Sequence, residues 1–335
     1  MPVLDYDYVV TIDQNATSNP VKVPTNQWQR KSTGTWLDVS GKTGITYTIG
    51  VEDRGCQIRL CQNLEGALAY SNVLQVTSEE PPALGSGYIA LHLTTALQLR
   101  IWYDSPSAPV KLYYKQNLDD EWKLKETGSA GDHKKFTRDV PGYYAFDSKT
   151  VTACSFVNSH PHVEFTFDVT SDFTNCRALN NFVRDCKRFN QDLSWMSIPK
   201  VTNLEYAFSN ANDMTGSVNF ATPALTTMQN CFEELNPATT KQWNMDLSNW
   251  DTSKVTHFSY AFRGRTYFNN ASIVNWDTSS ALYMNSMFWD TTNFNQDLTG
   301  WCVENITSEP DNGLGGFSNG SALTDSNKPN WGAPC

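Results

Sequence analysis

Asn244-Met-Asp-Leu-Ser-Asn-Trp250-Asp-Thr-Ser-Lys-Val255-Thr-His-Phe258-Ser-Tyr-Ala-Phe262 decides how this chain of 335 residues is read, because it recurs. Ala271-Ser-Ile-Val-Asn-Trp276-Asp-Thr-Ser-Ser-Ala281-Leu-Tyr-Met284-Asn-Ser-Met-Phe288 keeps the same order of parts. Aligned on the final phenylalanine, the units end at Phe182, Phe208, Phe232, Phe262 and Phe288, at spacings of 26, 24, 30 and 26. Four residues before each stand Ala178, Leu204, Met228, Phe258 and Met284, and seven before stand Asn175, Val201, Leu225, Val255 and Ala281. Beyond the first unit these positions are apolar at i, i+3 and i+7, one face of two helical turns, so each unit is predicted to hold a short helix. Twelve or thirteen residues before each phenylalanine come Val169, Trp195, Phe220, Trp250 and Trp276, and Trp301 opens an incomplete last unit. Asp192-Leu-Ser, Asp246-Leu-Ser-Asn, Ser272-Ile-Val-Asn and Asp297-Leu-Thr-Gly have the length of one strand each, and Asp251-Thr-Ser and Asp277-Thr-Ser stand where helix N-caps are wanted. One such unit cannot bury its own apolar face, but a stack of them can. Trp195, Trp250, Trp276, Trp301, Phe182, Phe208, Phe232, Phe262 and Phe288 are therefore read as a structural ladder. A period near 26 is that of a leucine-rich-repeat-like solenoid with short strands and short helices, placed at 161–335 with a C-terminal cap.

The rest of the chain reads as β structure. Over 1–80, short alternating runs lie between turn signals: 8–12, 27–30, 36–39, 45–49, 57–61 and 72–77. Residues 78–87 are rich in breakers and read as a linker. Over 81–160, Ile89/Leu91/Leu93, Leu97/Leu99/Ile101/Tyr103 and Val110/Leu112/Tyr114 alternate with period two, as antiparallel strands with one buried face do; Val163/Phe165/Phe167/Val169 continue the pattern. The expected fold is thus mainly β and multidomain: an immunoglobulin-like sandwich, a second sandwich, then the solenoid.

Two stretches carry family resemblances. Gln27-Trp28-Gln-Arg, Gly34-Thr-Trp36, Thr46-Tyr-Thr, Asp53-Arg-Gly55 and Ile58-Arg-Leu60 resemble the immunoglobulin-like modules of bacterial and phage surface proteins. Trp28 would be the core tryptophan of that module. Phe189-Asn-Gln-Asp-Leu-Ser-x-Trp195, Trp250-Asp-Thr-Ser-Lys-Val-Thr and Phe294-Asn-Gln-Asp-Leu-Thr-Gly-Trp301 resemble the BspA-like repeat, also known from mycoplasma lipoproteins. Both resemblances imply display, adhesion or virion decoration rather than catalysis.

Composition narrows the functional classes. A net charge of −10 opposes nucleic-acid binding, and residues 151–335 hold 10 Lys and Arg against 18 Asp and Glu. No run of 18 apolar residues is present, so no helical membrane insertion is expected. The start, Met1-Pro-Val-Leu-Asp-Tyr-Asp-Tyr, lacks a basic n-region and an apolar h-region and does not read as a secretory signal: either the chain is a mature fragment or it never passes the general secretory route. Among the eight cysteines no Cys-x-x-Cys pair occurs; buried thiols are the expectation, with Cys302 and Cys335 the best disulfide candidates because they could pin the tail to the last repeat. His160-Pro-His162 has no third ligand at a telling spacing, and no catalytic, phosphate or dinucleotide motif is found. Catalytic residues, cofactors and metals are accordingly expected to be none.

The expectation is a non-enzymatic, virion-exposed structural protein of a tailed phage, a capsid decoration or tail-associated fibre. Its N-terminal part would contact other virion proteins, and its solenoid a host surface glycan or protein. A bacterial cell-surface adhesin is the alternative and a polysaccharide depolymerase the third reading. Homo-oligomers stay open, although no coiled-coil heptads are present. The candidate binding surface is the variable matter around the ladder: Lys254, His257, Arg263, Arg265 and the loop 233–242 with Glu233 and Glu234, these acids being expected in solvent.

Overall fold

The structure is a computed structural model that describes residues 3–4, 9–11, 25–31, 35–43, 46–48, 56–64, 67–70, 74–76, 87–158, 162–236, 243–311 and 316–335. The Asp53-Arg-Gly55 turn, His160 and residues 237–242 of the predicted loop lie outside them. The fold is mainly β, with antiparallel sheets; the helices among the described residues are two short 3-10 turns, Ala271–Ile273 and Asp325–Asn327. Contacts divide the chain into two compact units, 1–81 with 121–124, and 82–120 with 125–335.

In the first unit, β1 (Val3–Leu4), β3 (Thr25–Lys31), β4 (Leu37–Asp38), β6 (Gln57–Leu64), β7 (Ala67–Tyr70) and β8 (Leu74–Val76) form one sheet in the order β1-β8-β6-β3-β4, with β7 also on β6. β2 (Val9–Thr11) pairs separately with β5 (Thr46–Thr48). Trp28 on β3 lies opposite Leu60 on β6, and both are buried with Ile58.

The second unit begins with a two-sheet sandwich. β9 (Tyr88–Leu93), β11 (Val110–Lys115), β12 (Lys123–Gly128), β14 (Gly142–Asp147) and β16 (Phe165–Phe167) form one sheet, ordered β12-β11-β14-β9-β16. β10 (Leu99–Ser105), β13 (Gly131–Arg138) and β15 (Ala153–Asn158) form the other, ordered β13-β10-β15. Of the period-two residues, Ile89, Leu91, Leu93, Leu99, Ile101, Tyr103, Val110 and Leu112 are buried, while Leu97 and Tyr114 are half-buried at the edge of the core. β16 completes the first sheet from residues beyond 160, so the sandwich takes in the start of the segment assigned to the repeats.

The repeats then stack on the sandwich edge. Ala153 of β15 forms a parallel bridge to Ala178, and the series continues Ala178–Asn203–Thr227–His257–Tyr283, one bridge per coil. The expected helices are absent here. In the first coil, Leu179, Asn181, Val183 and Asp185 donate their N–H groups to Asn203, Glu205, Ala207 and Ser209 of the next coil, while Phe182, Arg184 and Cys186 donate to the residue three back. An α-helix needs each N–H to stay within the segment and reach four residues back. Here every second N–H leaves it, so the segment is a run of consecutive turns. The left-handed residues Asn181, Tyr206, Asn230, Tyr260 and Ser286, at φ 53–60°, recur once per coil and enforce this path. Turns of this kind also return apolar side chains to one side every third or fourth residue, which is why the sequence pattern read as helical. The expected strands at 192–194, 246–249, 272–275 and 297–300 are turns or, at Ala271–Ile273, a 3-10 helix. Likewise the Asp-Thr-Ser steps cap no helix: the Asp251 and Asp277 carboxylates accept from the backbone N–H and hydroxyl of Ser253 and Ser279 in local turns.

Inside the coils the rings stack in register. Phe208–Phe232, Phe232–Phe262 and Phe262–Phe288 are 5.4, 5.6 and 5.5 Å apart between centroids. Trp250, Trp276 and Trp301 are buried and donate their indole N–H to the carbonyls of Val218, Leu247 and Ile273 in the preceding coil. Trp195 is only half-buried. The first unit differs from the alignment by one residue: Val183, not Phe182, shares the hydrogen-bond register of Phe208, and Phe182 packs on Phe156, Phe167 and Phe173 of the sandwich side. Val169 is 64% exposed, and buried Phe173 stands nearest Trp195 instead. The far end is closed by the tail, where Phe288 donates to Phe317, Leu298 donates to Asn327, and Cys302 is disulfide-bonded to Cys335.

Candidate functional site

The same turns that build the ladder fix two columns of side chains on the outside of the stack. The first is the left-handed position: Asn181, Tyr206, Asn230, Tyr260 and Ser286. Asparagine suits this conformation, serine less so, and a tyrosine there holds a bulky side chain at positive φ against its preference. Outliers of that kind cluster at functional sites. The second column follows the phenylalanine register by one residue and contributes Arg184, Glu233, Arg263 and Trp289. Of these, Tyr206, Asn230, Tyr260, Arg184, Glu233, Arg263 and Trp289 line a groove of about 500 Å³, with Gln229 and Leu235 completing its wall.

Its charges are paired. The Arg263 Nη1 lies 3.1 Å from the Glu233 Oε1, and its guanidinium sits 4.2 Å from the Trp289 ring centre and 5.7 Å from that of Tyr260. Arg184 stacks 4.4 Å from the Tyr206 ring centre, donates to the Asn181 Oδ1 at 3.0 Å and has its Nε 3.5 Å from the Asp185 carboxylate. Burial pushes the Glu233 carboxyl above its ordinary range, although Asn230 and Arg263 hold it back. Burial also raises the Tyr206 phenol, with Glu233 adding to the effect. Asn230 is 4% exposed, and its Oδ1 has no hydrogen-bond partner among the described residues. The groove therefore offers ring faces, paired guanidinium groups and one buried, unanswered acceptor, which suits stacking and hydrogen bonding with a ligand.

The sequence-predicted surface is partly brought together here. Arg263 and Glu233 meet in the groove, but Glu233 is buried rather than solvated. Arg265 and Glu234 are not surface residues at all, at 2% exposure each. The Arg265 Nη1 lies 3.7 Å from the Glu234 Oε2, its Nε donates to the Phe232 carbonyl and its Nη2 to the Phe208 carbonyl at 3.0 Å. Its guanidinium lies 5.1 Å from the Trp243 ring centre. The physical reason is that the stack continues past Phe232: the Glu234 N–H donates to the Arg263 carbonyl of the next coil, which keeps Glu234 inside, and Arg265 reaches two coils back to the Phe208 carbonyl. Burial lowers its pKa to about 10, so it remains charged at neutral pH. Lys254 is exposed and donates to the Pro223 carbonyl, and His257 packs against Tyr283 with ring centres 4.3 Å apart and planes tilted by 35°; neither lines the groove. Sequence reading missed Arg184, Tyr206, Gln229, Asn230, Tyr260 and Trp289. The available signal was repeat offset: Tyr206 and Tyr260 both stand two residues before a ladder phenylalanine, and Arg263 and Trp289 one residue after.

Among the described residues no cluster of three or more His, Cys, Asp or Glu is placed to hold a metal ion, and no helix is long and apolar enough to cross a membrane. His162 is exposed. The Cys154 and Cys176 sulfurs lie 4.0 Å apart in the core, and burial pushes the Cys154 thiol well up, the reverse of nucleophile activation.

No curated protein and no solved structure matches the chain. The family described as "Mycoplasma protein of unknown function, DUF285" matches residues 132–243 and again 218–314, spans that follow the coils and the sandwich edge from which they start. Those two spans cover more than half of the chain, which therefore belongs to that family of BspA-like repeat proteins.

Proposed function

We propose that this chain is a non-enzymatic, surface-displayed recognition protein whose repeat array contacts a host surface component through the groove between Tyr206 and Trp289. One observation carries the reading: two tyrosines occupy a left-handed backbone position that asparagine and serine fill in neighbouring coils, and both face a groove that already holds two guanidinium groups and Trp289. Strain of this sort is retained where the ring itself is used. In this reading the coils are a leucine-rich-repeat-like solenoid and residues 1–80 an immunoglobulin-like module built on Trp28. That module docks the protein to other virion proteins of a tailed phage, as a capsid decoration or tail-associated fibre, and the array faces outward. A bacterial cell-surface adhesin is the same recognition function on a different carrier.

The test uses fluorescently labelled full-length protein on a panel of intact bacterial strains. The Tyr206→Asn/Tyr260→Asn double variant keeps the left-handed backbone and removes both rings. Loss of cell binding by a folded double variant is the expected result; undiminished binding would remove the groove from recognition. The carrier is decided separately, by mass spectrometry of purified virions against washed cell envelopes.

A second reading, a polysaccharide depolymerase, is favoured by one feature. Glu233 is a buried carboxyl with a raised pKa in a groove, the state a general acid needs. Release of reducing ends from capsular polysaccharide by the wild type, and not by Glu233→Gln, would establish it in place of simple binding.

A further inference from the structure

We propose that the groove takes an uncharged, linear glycan lying along the stack axis; this rests on the recognition reading above. Three features of the groove specify that chemistry.

The first is dimension. Successive phenylalanine rungs are 5.4–5.6 Å apart, so side chains one coil apart repeat on the length scale of one pyranose in an extended chain. Tyr206 and Tyr260 stand two coils apart, with Asn230 in the coil between them, and Trp289 comes from the coil after Tyr260. Ring, acceptor, ring, ring in consecutive coils is a pattern that a repeating ligand can follow in register. A compact ligand would use one coil, whereas this lining extends from Arg184 to Trp289.

The second is charge. Each guanidinium in the groove already faces a carboxylate, Arg263 with Glu233 and Arg184 with Asp185. An anionic sugar would have to break those pairs and would meet the Glu233 carboxyl as it did so. A neutral sugar leaves them intact and hydrogen-bonds to their outer N–H and oxygen atoms.

The third is the unanswered Asn230 Oδ1, buried at the centre of the lining. A buried acceptor without a donor is costly, and natural structures seldom keep one without a use. Among the described residues no groove donor reaches it, and the Arg184 Nε is likewise left without a hydrogen-bond partner, so a ligand that both donates and accepts answers the two. Sugar hydroxyls do both while the C–H face of the same chain rests on the flanking rings.

The experiment is titration calorimetry of the full-length protein with neutral linear oligosaccharides of increasing length, chosen from a printed panel of neutral and uronic-acid-containing glycans. Affinity is expected to rise with each added sugar until the groove is filled and then to level off. Tyr206→Asn, Tyr260→Asn and Trp289→Ala are each expected to weaken binding about ten-fold or more. Asn230→Gly keeps the positive φ and removes the acceptor, and is expected to weaken binding without changing the length at which affinity levels off. Preference for uronic-acid chains over neutral ones overturns the charge argument. Affinity independent of length overturns the axial placement. If the panel is not bound while cell binding still depends on Tyr206 and Tyr260, the ligand is not a glycan and the recognition reading survives. If cell binding is also independent of those residues, both fail.

Discussion

A methyl group added at Gly264 would run into the Glu234 carbonyl oxygen, and the backbone there has φ +74°. At Gly300 the same methyl group meets open space and φ is unremarkable. Gly264→Ala is therefore expected to cost about 2 kcal/mol or more, from left-handed strain plus displacement of the neighbouring coil. Gly300→Ala is expected to be neutral or stabilising by up to about 1 kcal/mol, because it restricts the unfolded chain. Denaturant melts of the two variants check both signs. Arg265 is a second residue-scale case. Its guanidinium answers two ladder carbonyls and faces Glu234 in the interior. Arg265→Met takes the guanidinium donor from both carbonyls and the counter-charge from a buried carboxylate, leaving, among the described residues, the Phe208 carbonyl only the Ala211 N–H and Glu234 only the Asn236 N–H, and is expected to cost roughly 3–5 kcal/mol. The Arg265→Met/Glu234→Gln double variant is expected to recover part of that loss, because the stranded charge is gone. Equal stability of the single and double variants would show that the ion pair contributes nothing.

At the scale of the element, the apolar period was legible and its backbone was not. Val201, Leu204, Val255, Phe258 and Phe262 are buried as their spacing required. The period cannot say, however, whether an N–H bonds within the segment or to the next coil, so turns were read as helices. The left-handed positions were hidden for a related reason. Asn181, Asn230 and Ser286 are ordinary polar residues until the φ is known, and Tyr206 and Tyr260 look like core. Thus the ladder was found from sequence while most of the groove was not. The Asp-x-Ser/Thr turns give the element its pH response. Burial alone would raise Asp172, but hydrogen bonds from Thr174 and the Gly87 N–H outweigh it and leave it lowered. Asp192 is lowered by the Ser194 N–H, and Asp251 by the Ser253 hydroxyl. A carboxyl whose folded pKa lies below its ordinary 3.8 stabilises the fold above that pH and loses the contribution as pH falls through the folded value. Glu233 runs the other way: its raised pKa means that folding is favoured by its protonation and loses that contribution as pH rises through the folded value. Chemical denaturation from pH 5 downward is expected to show falling stability below about 4. That fall is expected to be shallower in Asp251→Asn, whose amide cannot titrate.

Over the whole second unit, one buried cluster runs from Ile89 in the sandwich to Leu323 in the tail, so the array has no free apolar end. Edge strand β15 serves as the template for the first coil: the outward Phe156 N–H donates to the Phe182 carbonyl, and the Thr152 carbonyl just before the strand accepts from Arg177. An uncovered strand edge invites pairing with other chains, and a repeat array needs closed ends. The opposite end lacks a sheet to close it and relies on the irregular tail, where Phe317 packs against Phe288 and Trp331 against Phe317. Backbone hydrogen bonds from Phe288, Asp290 and Leu298 hold that tail to the last coils, and the Cys302–Cys335 link, at a sequence separation of 33, ties down its very end. Constraining a loop of that length is worth about 3–4 kcal/mol in the chain-entropy account. Cys302→Ser/Cys335→Ser is expected to lose an amount of that order in denaturant melts and to raise amide exchange first at Leu298 and Phe288, whose N–H groups are held by the tail. The sandwich amides of β9 and β10 should keep their protection at conditions where the tail has already opened. If both ends lost protection together, the cap would be part of one all-or-none unit with the sandwich, and the disulfide would act on the whole core rather than on its exposed end.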